Sequence, residues 1–224
     1  MLNGRRKVDQ CVPVRGTVYG VALYAGDRVE APSEAPRSAP SFPVFFIKPR
    51  NTFLADGGTV SLPSSLPVVE ASAVLAICFA RDARSVLAED VFDYVAGFTL
   101  AIDLTEPGDD FFRPPIREKC RDGFLPIGPS IVPRSSIADL ERISVSLEID
   151  GTQVASFGLQ DRIPAIARLI EQMSEFMTLR TGDVLLATRT LPGTTGSIGS
   201  KILATSDQLG NLQCTLEGEK EVTG

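Results

Sequence analysis

Four basic side chains, Arg113, Arg117, Lys119 and Arg121, fall within nine residues of "FFRPPIREKCRDGFLPIGP" (Phe111 to Pro129), followed by Asp122 and a Gly/Pro turn run. Such a cluster can hold a small anion, because arginine offers a planar fork matched to a carboxylate and lysine a compact charge. From this window alone the alternative is a solvated connecting loop, with the arginines paired to Asp109, Asp110 or Glu118. The chain contains no histidine. That removes Ser-His and Cys-His nucleophile systems and any His-ligated metal site, and leaves the chemistry of carboxylates, Lys, Arg and backbone. Asp103, near the end of "FTLAIDLT", is the carboxylate of interest; its plain reading is a strand-end carboxylate bonded to backbone or to Lys119.

Composition narrows the partners. A net charge of −6 supplies no general field for phosphate, so nucleic acid is a poor partner and the local basic cluster suits a small anion. No stretch reaches the roughly 18 to 20 apolar residues of a membrane span, and "MLNGRRKVDQ" has no apolar segment behind its basic residues, so a cytoplasmic protein without a membrane partner is expected. Cys11, Cys78, Cys120 and Cys214 are far apart and form no CxxC pair, which argues for free thiols over a zinc or redox site. "PGTTGSIGS" lacks the lysine of a phosphate-binding loop and reads as a rim loop.

The elements that must position these residues are mostly strands. "GTVYGVALYAG" has strand composition, and the Pro/Ser/Ala-rich "DRVEAPSEAPRSAPSFP" after it reads as a mobile surface loop. "VFFIKPRN" is a short buried strand stopped by Pro49. "SAVLAICFA" is a buried strand, "AEDVFDYVAG" a short helix with Gly97 as its stop, and "FTLAIDLT" another strand. "ISVSLEIDGTQVASFG" is a hairpin about Asp150-Gly151. Ile163, Ile166, Ala167, Ile170, Met173 and Met177 recur at helical spacing and predict one long helix on a sheet. "TGDVLLATRT" is a strand, and "KILATSDQLGNLQCTLEGE" a closing hairpin. The absence of a βαβ rhythm favours a mainly β, mixed α+β architecture over a doubly wound sheet. A single domain is expected: residues 1–43 supply a strand and the Pro/Ser-rich loop, and 44–224 the main body.

Four ordered motifs carry a resemblance. "VFFIKPRNTFL", "EDVFDYVAGFTLAIDLT", "FFRPPIREKCRDGFLPIGP" and "MSEFMTLRTGDVLLATRT" together resemble the fumarylacetoacetate hydrolase superfamily from about Val44 to Glu217. More narrowly, "IKPRNT", "RPPIREKCRDGFLPIG" and "MSEFMTLRTGD" are similar to the amino-terminal half, or first subunit, of the bifunctional isomerase/decarboxylases of 4-hydroxyphenylacetate (homoprotocatechuate) breakdown. The resemblance implies a β-roll or sandwich with few helices and a lysine of the K-x-x-D-x-F arrangement in the active site, here Lys119, Asp122 and Phe124. Lys119 is then the catalytic candidate, and Arg113, Arg117, Arg121, Asp122 and Arg189 the substrate-binding ones.

The implied reactions act on a 2-oxo tricarboxylic acid and on a hydroxy-diene dicarboxylic acid, through an extended enolate. In the superfamily Mg2+ or Mn2+ is held by a Glu-x-Glu pair and an Asp. Here Ser72 and Val74 stand at the glutamate positions, Asp103 is a remnant of the set, and Ala187, Thr188, Arg189 and Thr190 replace a Thr-Gly-Thr-Pro run. Metal is therefore expected to be absent or weakly bound. Three expectations follow: a subunit of a decarboxylase/isomerase forming a homodimer or a hetero-oligomer with a metal-binding paralogous subunit, a non-catalytic scaffold, or a metal-independent enzyme that stabilises the enolate through Lys119 and the arginines.

Overall fold

The computed structural model of the chain describes residues 12–23, 42–108, 114–190 and 194–219. In chain order the strands are β1 (Val18–Leu23), β2 (Val44–Lys48), β3 (Phe53–Leu54), β4 (Gly58–Leu62), β5 (Val68–Phe79), β6 (Val95–Thr105), β7 (Leu125–Pro133), β8 (Ser144–Ile149), β9 (Thr152–Gly158), β10 (Val184–Arg189), β11 (Thr195–Ser197), β12 (Lys201–Ser206) and β13 (Gly210–Gly218). The helices are α1 (Ile116–Lys119) and α2 (Ile163–Phe176). One sheet runs β2-β1-β10-β5-β6-β7-β3, with β11 also paired to β5, and a second runs β4-β13-β12-β8-β9. The mainly β, mixed expectation holds, and strands do not alternate with helices as a doubly wound sheet would require.

The central strands explain why "SAVLAICFA" reads as a continuous apolar run. On β5, Val69, Ala71, Ala73, Leu75, Ile77 and Phe79 face the main core, while Val74, Ala76 and Cys78 face a second, smaller cluster. A strand buried on both faces has no polar side to alternate with. Both sheets and α2 feed the main core: Ile166, Ala167, Ile170 and Met173 lie on the buried stripe of the helix, as their spacing predicts. Asp150 and Gly151, with φ of 53° and 80°, turn β8 into β9 at the expected place. The closing hairpin is β12 and β13.

One expected element differs. Only Val91–Tyr94 is helical in the "AEDVFDYVAG" stretch, as a single 3-10 turn, and Val95 already pairs with Phe79 at the start of β6. Gly97 lies within that strand, where an added Cβ would run into the Val132 carbonyl. Sheet pairing has overridden a weak local helix preference. The Pro/Ser-rich stretch expected to be a mobile loop lies outside the described residues over 24–41.

Candidate functional site

The site is built where the two longest strands cross from core to edge. β5 and β6 pair antiparallel over their length, with Ser72 opposite Asp103, Val74 opposite Ala101 and Glu70 opposite Thr105. Side chains directly opposite share a face of a sheet, so Ser72, Val74, Ala101 and Asp103 all point to the side of the smaller cluster. Asp103 is only 3% exposed. A carboxylate buried that deeply is tolerable only with a charge partner.

It has two. Lys119 Nζ, at the end of α1, donates to Asp103 Oδ2 at 2.7 Å and to Thr105 Oγ1 at 2.8 Å, and stands 4.5 Å from the centre of the Phe46 ring. Lys48 Nζ lies 2.7 Å from Asp103 Oδ1. The same ammonium also donates to the carbonyls of Leu104 (3.0 Å), Lys119 (2.8 Å) and Phe124 (3.0 Å). An ammonium has three hydrogens, so these three carbonyls and Oδ1 share them. Lys48 pins β2, β6, α1 and the entry to β7 at one point. It was not among the residues singled out from sequence; its available signal was a lysine two positions after Phe46 on a short apolar strand, hence on the same face.

Burial pushes the Asp103 carboxyl up, but the charges of Lys119 and then Lys48 outweigh it and hold the group well below the usual carboxylate range. Burial pulls Lys48 down from 10.5 to about 8, with Asp103 opposing that fall and Lys119 adding to it. Two ammonium groups on one carboxylate leave the site with a net charge of one positive unit near neutral pH.

The loop that carries Lys119 is fixed from behind. Asp122 Oδ1 accepts from the Asn51 side-chain amide at 2.7 Å, and the same amide donates to the Cys120 carbonyl at 2.9 Å. Phe124 is fully buried and anchors the loop in the main core. Arg117 and Arg121 both reach Glu106, at 3.3 and 3.1 Å, on a rim where the Arg117 side chain is 75% exposed. Both arginines thus meet Glu106, an acidic residue outside the set expected from proximity in sequence. Arg113, with Asp109 and Asp110, lies outside the described residues, as does the side chain of Arg189; the Arg189 backbone belongs to β10 and pairs with Val74. Thr188, the residue before it, accepts from Arg162 at 3.1 Å.

Asp103 lines a cavity of about 10 Å³ with Phe46, Val74, Leu186 and Thr188 among its walls. That is room for about one water. A hard divalent ion asks for about six oxygen ligands, usually including one or two carboxylates and several waters. Ser72 offers a hydroxyl, Val74 nothing, and both Asp103 oxygens already face ammonium groups. Among the described residues no three carboxylate, thiol or imidazole groups gather as a metal site. The residues present do not fit Mg2+ or Mn2+. Cys78, Cys120 and Cys214 are free thiols, and burial raises Cys78 and Cys214 to about 12. No helix among the described residues is long and apolar enough to cross a membrane.

Comparison with known proteins places this geometry in a family context. The fumarylacetoacetate (FAA) hydrolase C-terminal family model matches residues 17–217. The chain is 31% identical over 215 residues to the 4-hydroxyphenylacetate degradation bifunctional isomerase/decarboxylase of Escherichia coli, covering 94% of this chain and 49% of that protein. It is also 31% identical over 190 residues to the mitochondrial oxaloacetate tautomerase of Arabidopsis thaliana, covering 82% and 84%. The chain therefore spans about half the length of the bifunctional relatives it matches. Among solved structures, fumarylpyruvate hydrolase from Pseudomonas aeruginosa, in complex with Mn2+ and pyruvate, is similar with a TM-score of 0.76 at 25% identity, covering 95% of this chain and 93% of that one. The 5-carboxymethyl-2-hydroxymuconate delta-isomerase of Mycobacterium smegmatis is similar with a TM-score of 0.74 at 25% identity, covering 94% and 81%.

Proposed function

Because the chain belongs to the fumarylacetoacetate hydrolase family, we propose that it is a subunit of a 5-carboxymethyl-2-oxo-hex-3-ene-1,7-dioate decarboxylase / 2-hydroxyhepta-2,4-diene-1,7-dioate isomerase of aromatic catabolism, working beside a paralogous subunit that carries the divalent ion. One observation supports this reading above the others: Lys119 is buried and held inward on Asp103, the carboxylate that lines a small cavity. An ammonium spent only on solubility would face water. In this reading Lys119 is the catalytic group, attracting the substrate carboxylate or the developing enolate, and Asp122 positions it through Asn51. Arg117 and Arg121, with Arg113 and Arg189, meet the outer carboxylates of the substrate. The divalent ion, when supplied by the partner subunit, would serve as electron sink for the 2-oxo acid. The chain acts as a single domain, with β1 paired to β10 and β2 of the main body.

The test is a mixed-subunit assay with the chain encoded beside this one. This chain alone should show little turnover, the mixture should be active, and removing this chain should abolish the gain. Full turnover by the isolated chain with added Mg2+ contradicts the pairing. A second reading, a non-catalytic scaffold, is favoured by one specific observation: the buried Lys48 ammonium donates to three backbone carbonyls, as in a structural knot. It predicts that the partner's turnover is the same with and without this chain.

A further inference from the structure

We propose that Phe46 is a positioning residue for Lys119: its ring, seated on Gly20, holds the ammonium through a cation–π contact and keeps it turned inward beside Asp103. The inference deepens the decarboxylase/isomerase reading and rests on it only for the consequence to substrate binding.

Three observations carry it. Lys119 Nζ stands 4.5 Å from the centre of the Phe46 ring, within the range at which the electron-rich face of an aromatic ring attracts a cation. Two of the three ammonium hydrogens are taken by Asp103 Oδ2 and Thr105 Oγ1, so the ring answers the charge on a further side. The second observation is the seat of the ring. Gly20 lies directly opposite Phe46 across the β1–β2 pair, and a Cβ added there would run into the Cζ and Cε atoms of the ring. Glycine leaves the space that the ring fills, and so fixes its place. The third is burial: Phe46 is 8% exposed and Lys119 6%, so the contact is largely desolvated, the setting in which a cation–π pair is strongest.

The arrangement has a chemical consequence. A second carboxylate in place of the ring would cancel the positive charge that Asp103 leaves over. A ring attracts the ammonium without cancelling it, so the net positive unit of the site stays available to an incoming carboxylate. β2 thus holds the Lys119 arm at both ends, since Lys48, two positions on and on the same face, donates to the Lys119 carbonyl at 2.8 Å.

The experiment reads the Lys119 ammonium of the full chain by proton–nitrogen NMR at mildly acidic pH, its signal assigned by its loss in Lys119→Met. In the unaltered protein the signal should be shifted upfield by the ring current of Phe46, and Phe46→Leu, which keeps apolar bulk, should remove that shift. A chain carrying at position 46 a phenylalanine fluorinated at both meta carbons keeps a ring of nearly the same size but depletes its face. It should speed hydrogen exchange of the ammonium by at least about threefold. A signal that Phe46→Leu leaves in place, or exchange unchanged by the fluorinated ring, overturns the proposal. The fluorinated chain keeps the test open if Phe46→Leu does not fold. In calorimetric titration with pimelate, Phe46→Leu should weaken binding by at least about threefold when Lys119 is present and leave it unchanged in the Lys119→Met background. Equal losses in both backgrounds would make Phe46 a packing residue and overturn its positioning role. If pimelate does not bind the unaltered protein, the decarboxylase/isomerase reading falls, while the ammonium signal still decides the contact with Phe46.

Discussion

Two clusters of basic residues on a carboxylate lie within a few residues of each other and behave as opposites. In the inner one, Lys48 and Lys119 hold Asp103, with side chains 0%, 8% and 2% exposed. In the outer one, Arg117 and Arg121 hold Glu106, with side chains 75%, 31% and 14% exposed. The difference is one of solvent. A buried ion pair is costly to assemble, and breaking it strands a charge; an exposed pair is screened and contributes little. The inner cluster therefore fixes geometry and, in the proposed function, presents Lys119 to the anion, whereas the outer one can loosen from Glu106 at small cost and steer an incoming anion toward it.

The largest expected effect follows from breaking the inner cluster. Lys48→Met keeps the aliphatic stem but leaves three buried carbonyls and half of the Asp103 charge unanswered, and it should lower unfolding stability by ~3 to 5 kcal/mol. Urea titration checks this, and a loss below about 1 kcal/mol would mean that water replaces the ammonium. Restoring carboxylates should shift metal affinity next. Ser72→Glu with Val74→Glu places two further oxygen donors on the face of Asp103, and in a correctly folded double variant Mn2+ affinity should rise by about tenfold or more. No gain by calorimetry would show that the strand register does not bring the three groups together.

The pH dependence separates the inner partners. The folded Asp103 carboxyl lies below its unfolded value of about 4, so its contribution is present above that pH and is lost as pH falls through the folded value. Lys48 runs the other way: with a folded value of about 8 against 10.5, its charged form is disfavoured by folding, and stability should rise as pH climbs from 8 toward 10.5. Thermal unfolding across both windows should show a rise in each, with the upper one missing in Lys48→Met. The smallest effects belong to the rim. Arg117→Gln and Arg121→Gln should each change stability by ~1 kcal/mol or less, and that difference should vanish in high salt.

Much of the fold is legible in the sequence because its signals are local. The Asp150-Gly151 turn, the α2 spacing and the buried run of β5 each depend on neighbours within a few positions. The contact between Lys119 and Asp103 is also expected from the sequence, since both residues sit in recognisable motifs. Lys48 is not, because its partners are carbonyls 56, 71 and 76 residues away, and backbone acceptors leave no mark on a sequence. Glu106 is missed for a related reason: which acidic residue meets the arginines is decided by where β6 ends, not by proximity along the chain. Val91–Tyr94 forms only a 3-10 turn because Val95 is drawn into a long sheet pairing that no local window contains.

The central claim is that the inner cluster holds the anion and the outer one steers it. Titration of a saturated dicarboxylate, such as pimelate, into the protein and into Lys119→Met, set against Arg117→Gln with Arg121→Gln, tests it most directly. Loss of Lys119 should weaken binding by ~1.5 to 3 kcal/mol at any ionic strength, and loss of the two arginines by less, with an effect that disappears in salt. Binding that survives Lys119→Met in a folded variant, but collapses with the arginines, would place the anion on the rim and reduce the buried triad to a structural knot.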